Sequence, residues 1–313
     1  MQAAQIFEIR KKRDFGAVVG DTFVYFRKHF KPLLRANIII AGPFMLLAAI
    51  YTSLAQVNIF EMRTDSSYFS TVMLNSIISN LFMMLAMVLV IAVVHAYVKI
   101  DLNGINNNEE IRTETVWQGV KTGIWKSLGI ILLWVVCFAL LAAAFGLVFY
   151  TLGAVFFGFM IFISIFFLIY LFFRFSFVFP AGLLDDYSVL DSFTRSWQIS
   201  YGYFWNNFGI GILFSILIAM VSGFAAIPST IFTVVSAMHG ADAEVNPIWK
   251  FIVIAIQTVG TFVALLGYIL PYLAYILQYY SAVEKAEGTG LLQRIENLTL
   301  STEDKHNWGE ETY

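Results

Sequence analysis

Residues 117–133 read WQGVKTGIWKSLGIILL, and residues 197–213 read WQISYGYFWNNFGIGIL. Each copy opens on Trp-Gln, places a second tryptophan at Trp125 or Trp205, and continues through Gly-Ile into an apolar run. A weaker third copy, FVYFRKHFKPLLRANIII, occupies residues 23–40. Internal repeats are typical of folds built from one recurring unit. The pattern predicts units in which an aromatic, interface-seeking helix leads into a helix that spans the membrane.

The composition is that of a membrane protein. Of the 313 residues, 59% are hydrophobic and 13% are charged, whereas a soluble domain carries about 25% charged residues. About 20 consecutive apolar residues cross the hydrocarbon core as a helix, and the long apolar runs exclude a barrel of short alternating strands. We therefore predict an all-α, polytopic membrane protein. Its six spans are predicted at residues 34–55, 75–98, 128–150, 153–174, 207–231 and 250–281.

Basic residues are distributed unevenly between the two sides of this six-span plan. All 19 Lys and Arg residues except Arg63 and Lys250 fall in the terminal segments or in the loops at 99–127 and 174–206. Because cytoplasmic loops carry the excess of Lys and Arg, both termini are predicted to be cytoplasmic. Every unit then starts on the same side, so the repeats are parallel rather than inverted. We predict three hairpins, each preceded by an amphipathic helix on the cytoplasmic face.

The chain is predicted to consist of a membrane domain and a short tail. Residues 1–287 form the membrane domain, and residues 288–313 form a cytoplasmic tail whose polar, acidic end is disordered. Cys137, the only cysteine, lies within a span, so a disulfide or a Cys-based metal site is excluded. The three repeats are placed at about 14–98, 113–174 and 188–281.

Aromatic stripes mark the first and third amphipathic helices. Asp14 is the expected N-cap of the first, and Ser188 with Asp191 forms a capping-box-like start to the third. Helices with such faces lie in the membrane interface. Two interpretations remain open: the helices only set the height and tilt of the spans, or they sense or impose lipid packing in one leaflet. The stripes have helical spacing and consist of Phe15, Val19, Phe23, Phe26 and Phe30, and of Leu190, Phe193, Trp197, Tyr201 and Phe204.

Basic and tryptophan side chains beside the spans are the candidate lipid-binding residues. A juxtamembrane cluster of Lys and Arg attracts anionic lipid by about 1 kcal/mol per residue, although charge that fixes orientation explains part of the pattern. Arg174 is expected to pair with Asp185 or Asp186, or with a lipid phosphate. The candidates are Arg10, Lys11, Lys12, Arg13, Arg27, Lys28, Lys31, Arg35, Arg174, Trp117, Trp125, Trp197 and Trp205.

Polar residues are sparse within the predicted spans. None of the spans has an Asp or Glu in its central part, which argues against ion transport coupled to a carboxylate. The second span starts with polar residues that more often bond to a neighbouring helix than to a ligand. They are Asn75, Ser76, Ser79 and Asn80.

The sixth span carries a row of tyrosines at spacings that place them on one helical face. Pro271 lies within this row and is expected to kink the helix, because proline removes an amide donor and crowds the preceding turn. One interpretation is an aromatic seam that bonds to neighbouring helices, and the other is a groove for a lipid or another amphiphile. The row consists of Tyr268, Tyr272, Tyr275 and Tyr279.

One segment is similar to a known family. Residues 179–197, FPAGLLDDYSVLDSFTRSW, are followed by Tyr203-Phe-Trp205 and Phe208-Gly-Ile210. The region 175–215 resembles the prokaryotic membrane-domain family attached to some glycerophosphoryl diester phosphodiesterases, which implies a location in the bacterial inner membrane. We expect no phosphodiesterase domain here, because residues 288–313 are too few to hold one. The resemblance therefore supplies no catalytic residue.

Three functions fit this sequence. The leading one is a non-enzymatic membrane protein that binds or organises lipid, or scaffolds protein partners or a second copy, at the cytoplasmic leaflet. The alternative is a permease-like or accessory transport component for an amphiphilic or small neutral substrate, and a weaker alternative is a lipid-headgroup enzyme. P-loop, GxSxG and HExxH motifs are absent and the four His are scattered. We therefore expect membrane lipids, anionic ones included, as partners, and no cofactor, metal or nucleic acid.

Overall fold

The computed structural model describes residues 7–64, 68–104, 111–152, 154–239 and 247–288. The predicted tail beyond Gly288 lies outside these residues. All regular structure in the described part of the chain is helical, which confirms the predicted class. The helices are α1 (Phe15–Lys28), α2 (Phe30–Ile40), α3 (Gly42–Thr64), α4 (Tyr68–Asn103), α5 (Thr113–Leu152), α6 (Ala154–Arg174), α7 (Val178–Leu183), α8 (Val189–Ile199), α9 (Phe204–His239), α10 (Pro247–Gly267) and α11 (Ile269–Glu287).

Six segments of the described chain are long and apolar enough to cross a membrane. A helix of about 20 apolar residues is sufficient for this, so the chain has the architecture of a multi-pass membrane protein. The segments are Gly42–Ile59, Tyr68–Asn103, Thr113–Leu147, Ile161–Leu183, Phe204–Phe224 and Pro247–Glu287.

Prolines set three of the helix boundaries. Proline lacks an amide hydrogen, and its ring crowds the carbonyl group of the residue four positions earlier. Helices therefore end a few residues before Pro32, Pro43 and Pro271. The helices that end there are α1 at Lys28, α2 at Ile40 and α10 at Gly267.

Two predicted spans change as a result. The first was expected to begin at residue 34, but residues 30–40 form the separate helix α2 and the candidate span begins at Gly42. The kink expected at Pro271 occurs at Tyr268, a single αR residue between α10 and α11. The span predicted at 250–281 therefore consists of two helices, which together form one candidate membrane segment.

The two strongest copies of the repeated sequence fold differently in the middle. In the second copy α8 and α9 are separate, and Gly202 between them has a φ of +81°. The matching position in the first copy is Thr122, and a β-branched residue strongly disfavours a positive φ. The helix α5 accordingly runs without a break from Thr113 to Leu152. The span predicted at 128–150 is thus the second part of one continuous helix.

The buried core lies where α1 and α2 meet the second half of α4, α7 and α11. Elsewhere α3 packs along α4, α9 packs along α10, and α10 also contacts α3. Within the apolar 18-residue stretch that marks each candidate span, half of the α4 residues are buried, compared with 6% of the α5 residues. The helix α5 therefore belongs to the outer surface of the bundle, and the core positions the groups described next.

Candidate functional site

The tryptophans of the two repeat copies project from the protein surface. Trp117 and Trp197, which open the copies, have exposed fractions of 41% and 42%. Trp125 and Trp205, the second tryptophans, have exposed fractions of 77% and 75%. Tryptophan is highly buried on average in folded proteins. Corresponding residues of the two copies therefore have matching exposed fractions, although one copy has a continuous helix and the other does not.

Arg174, at the end of α6, is an internal residue of this aromatic region. Its guanidinium lies 4.5 Å from the ring centroid of Trp197 and 5.5 Å from that of Tyr201. It also donates to the hydroxyl of Ser200 at 3.2 Å. Contacts of this kind between a cation and an aromatic face are stabilising, and more so when water is excluded. The ion pair predicted between Arg174 and Asp185 or Asp186 is wrong.

Both aspartates have other partners. Asp185 accepts hydrogen bonds from Tyr279 at 2.5 Å and from Tyr280 at 3.3 Å, both on α11. Asp186 lies 2.6 Å from the amine of Lys99 on α4 and 3.8 Å from that of Lys126 on α5. The α7–α8 turn is therefore held to three helices that lie far from it in the sequence.

The basic N-terminal arm divides into internal and exposed cations. Arg13 is buried: its guanidinium pairs with Asp21 at 2.7 Å, and its backbone amide donates to Ser281 at 2.8 Å. Arg10 lies over the ring of Tyr280 at 5.4 Å. These two side chains fix the arm to α1 and α11. The exposed cations are Arg10, Lys11, Lys12, Arg27, Lys28, Lys31 and Arg35.

A groove of about 800 Å³ lies between α2 and the start of α5. It brings Lys31 and Arg35 together with Trp117 and with Arg112, which precedes α5. Lys31, Arg35 and Trp117 are among the predicted lipid-binding residues, whereas Arg112 is not. The signal that could have found Arg112 is its position before a helix N-terminus, where anions bind. We refer to this feature as the basic groove.

A hydrogen-bonded cluster joins α1 to the end of α4, and no pattern in the sequence predicts it. Tyr25 donates to Asp101 at 2.9 Å, and the Nδ1 atom of His29 lies 2.9 Å from the hydroxyl of Tyr97. Burial raises the pKa of Tyr25 well above its usual value, and the charge of Asp101 adds to this shift. Burial lowers the pKa of His29 in spite of Asp101. Tyr25 and His29 are therefore neutral near pH 7 when they bond to Asp101 and Tyr97.

The tyrosine row contributes hydrogen bonds to its neighbours. Tyr275 donates to the backbone carbonyl of Asn207 on α9 at 3.1 Å, and Tyr279 reaches Asp185 as described. The ring of Tyr272 lies 6.4 Å from that of His95, whereas Tyr268 caps α11. The contacts of Tyr275 and Tyr279 are those expected of an aromatic seam between helices.

Three pairs of polar side chains join candidate spans to one another. Thr52 and Ser79 lie 2.6 Å apart across α3 and α4, as the interhelical interpretation of the second span predicts. Thr258 donates to Ser53 at 3.1 Å, and Gln257 beside it donates to Gln56. Asn80 bonds within its own helix, to the carbonyl of Ser76. These pairs join α3 to α4 and α10.

In the described part of the chain, three or more His, Cys, Asp or Glu side chains nowhere come together in a way that could hold a metal ion. Comparison of the chain with protein-family models, with curated proteins and with solved structures finds no match.

Proposed function

We propose that this chain is a non-enzymatic integral membrane protein that organises lipid, or scaffolds partners, at the cytoplasmic leaflet. The observation that carries this proposal is the matched exposure of Trp117 with Trp197 and of Trp125 with Trp205. Rings that the fold leaves uncovered at the start of apolar helices suit the interface between headgroups and acyl chains, where tryptophan concentrates.

The repeat supplies the geometry of the proposal. We place three parallel hairpins in the membrane, each preceded by an amphipathic segment on the cytoplasmic face, with both termini cytoplasmic. The uneven distribution of Lys and Arg supports this orientation. The faces of α1 and α8 also support it, since their buried residues are Val18, Thr22 and Tyr25, and Ser192, Ser196 and Ile199. Of the two stripes, Phe15, Phe23, Phe30, Leu190, Trp197 and Tyr201 are exposed, whereas Val19, Phe26, Phe193 and Phe204 are half-buried.

Exposed rings on that face would act as wedges. An apolar face inserted between headgroups displaces lipid in one leaflet and leaves the other leaflet unchanged. The protein would then alter lipid packing locally without a chemical reaction. A partner protein with its own interfacial helices, or a second copy of the chain, would meet the same surface.

A transport component is the second candidate function, and the polar pairs of the spans weigh against it. A solute path needs polar groups that face a passage, whereas Thr52 with Ser79 and Ser53 with Thr258 are paired with each other. The proposal also includes the resemblance to the phosphodiesterase-associated membrane-domain family and a bacterial inner-membrane location, both of which rest on the sequence alone.

Reconstitution of the full chain tests the lipid-organising function. In vesicles of phosphatidylcholine and phosphatidylglycerol with a fluorescent probe of headgroup packing, the wild-type protein should shift the probe signal in proportion to protein content. Trp125→Ala with Trp205→Ala should remove roughly half of that shift, because two of the four exposed tryptophans of the repeat copies are lost.

A matched control replaces apolar side chains of similar exposure that lie farther along α5. Leu132 and Leu140 have exposed fractions of 65% and 66%, so Leu132→Ala with Leu140→Ala changes apolar surface away from the helix start. This control should leave the probe shift intact. The proposal fails if the tryptophan variant matches the wild type, or if the leucine variant loses as much.

A further inference from the structure

The basic groove contains cations without internal partners. Lys31, Arg35 and Arg112 line it, and none of them forms an ion pair within 4.0 Å in the described chain. All three side chains are exposed. By contrast, Arg13 and Arg174 are buried among protein partners. Within the described part of the chain, the groove cations are therefore not neutralised by an ion pair.

The electrostatics of the groove favour an anion. Among the described lining residues, Glu114 is the acidic one, against the three cations. The first turn of α5 also lies there, since Thr113 and Glu114 line the groove. Amide groups at a helix start are not used by the helix itself, and the macrodipole adds partial positive charge. The side chains and the backbone amides thus both favour an anionic ligand.

The groove also has an apolar wall, which distinguishes it from a site for a free anion. Ile39, Ile40 and Trp117 line it, and Ile39 has an exposed fraction of 54%. The wall leads from the cations towards Gly42, where the first candidate membrane span begins. A ligand that uses both parts has a charged end and a hydrocarbon end.

We propose that the basic groove binds an anionic glycerophospholipid. The headgroup phosphate lies among Lys31, Arg35 and Arg112, and an acyl chain runs along Ile39 and Ile40. This inference rests on the proposed function and assigns it a specific ligand and site. Because α2 and α5 form the two sides of the groove and contact each other, the bound lipid also braces the first repeat against the second.

Native mass spectrometry of the full chain in detergent, with defined lipids added, tests the site. The wild type should retain phosphatidylglycerol in preference to phosphatidylcholine. Arg35→Gln with Arg112→Gln should weaken retention of phosphatidylglycerol by about thirtyfold, or about fivefold per cation removed. These side chains have no ion-pair partner in the described chain, so thermal unfolding of the lipid-free variant should match the wild type.

The matched control removes two cations outside the groove. Lys121 and Lys285 are exposed and lie outside the groove lining, so Lys121→Gln with Lys285→Gln makes the same change in net charge. This variant should retain phosphatidylglycerol as the wild type does. Excess inorganic phosphate should not displace the lipid, because phosphate has no contact with the apolar wall.

Four results would overturn the inference. They are equal retention of the two lipids by the wild type, undiminished retention by the groove variant, equal losses in both charge variants, and displacement by inorganic phosphate. Each can occur while the tryptophan variants still change headgroup packing, so failure of the groove site is distinguishable from failure of the lipid-organising function.

Discussion

Gly202 marks the position at which the folds of the two repeat copies differ most clearly, because the first copy has Thr122 there. The left-handed backbone of Gly202 lies between the end of α8 and the start of α9, whereas at Thr122 the helix α5 continues. An alignment of the copies shows their likeness, but the break depends on a single backbone angle. The sequence therefore predicted a helix boundary in both copies and was right in only one.

Gly202→Ala should lower the free energy of unfolding by about 1–2 kcal/mol, because an L-residue is strained at positive φ. A Cβ atom at this position meets no neighbour within 4 Å, so the cost is conformational. Gly20→Ala is the matched control, since a Cβ atom there is equally unhindered but lies within α1. It should stabilise the protein by up to about 1 kcal/mol. Unfolding in mixed micelles measures both, and equal effects would contradict this account of the α8–α9 break.

Contacts between side chains were the part of the site that the sequence could not supply. The sequence predicts an acidic partner for Arg174 among the residues that follow it closely. In the structure one of these, Asp185, bonds instead to Tyr279, which α11 brings from far along the chain. In the same way, Arg112 joins Arg35 only because α2 packs against α5. The types of residue at the candidate site were predictable from charge and aromatic content. Their pairing depended on helix packing.

At the level of helices, α9 makes its closest contact with α6 and α11 through Gly211. A Cβ atom at this position would overlap the ring of Phe173 and lie 2.8 Å from the hydroxyl of Tyr275. The absence of a side chain therefore allows three helices to approach closely, as small residues commonly do in membrane bundles.

Gly211→Ala should destabilise this junction by about 1–3 kcal/mol, the usual cost of overpacking a tight contact. Gly223→Ala on the same helix provides the comparison, because a Cβ atom there meets nothing within 4 Å. It should be neutral or slightly stabilising. Thermal unfolding in detergent distinguishes the two. A junction that tolerates Gly211→Ala as well as Gly223→Ala would show that the three helices are not closely packed there.

Across the described part of the molecule, burial is concentrated in one core. The core unites α1, α2, α4, α7 and α11, whereas only 6% of the apolar 18-residue stretch of α5 is buried. Composition was enough to predict the membrane class, since apolar runs of sufficient length depend on no tertiary contact. It could not predict which spans face the protein, because residues facing lipid and residues facing a helix are equally apolar in a membrane protein.

The proposed function requires that the exposed tryptophans lie at the depth of the lipid headgroups. Fluorescence quenching by brominated lipids tests it most directly, in a protein that keeps Trp125 and Trp205 and has phenylalanine at its other tryptophan positions. We predict that lipids brominated near the headgroup quench the emission more than lipids brominated near the acyl terminus. Strongest quenching by an aqueous quencher, or by the deeply brominated lipid, would contradict the claim.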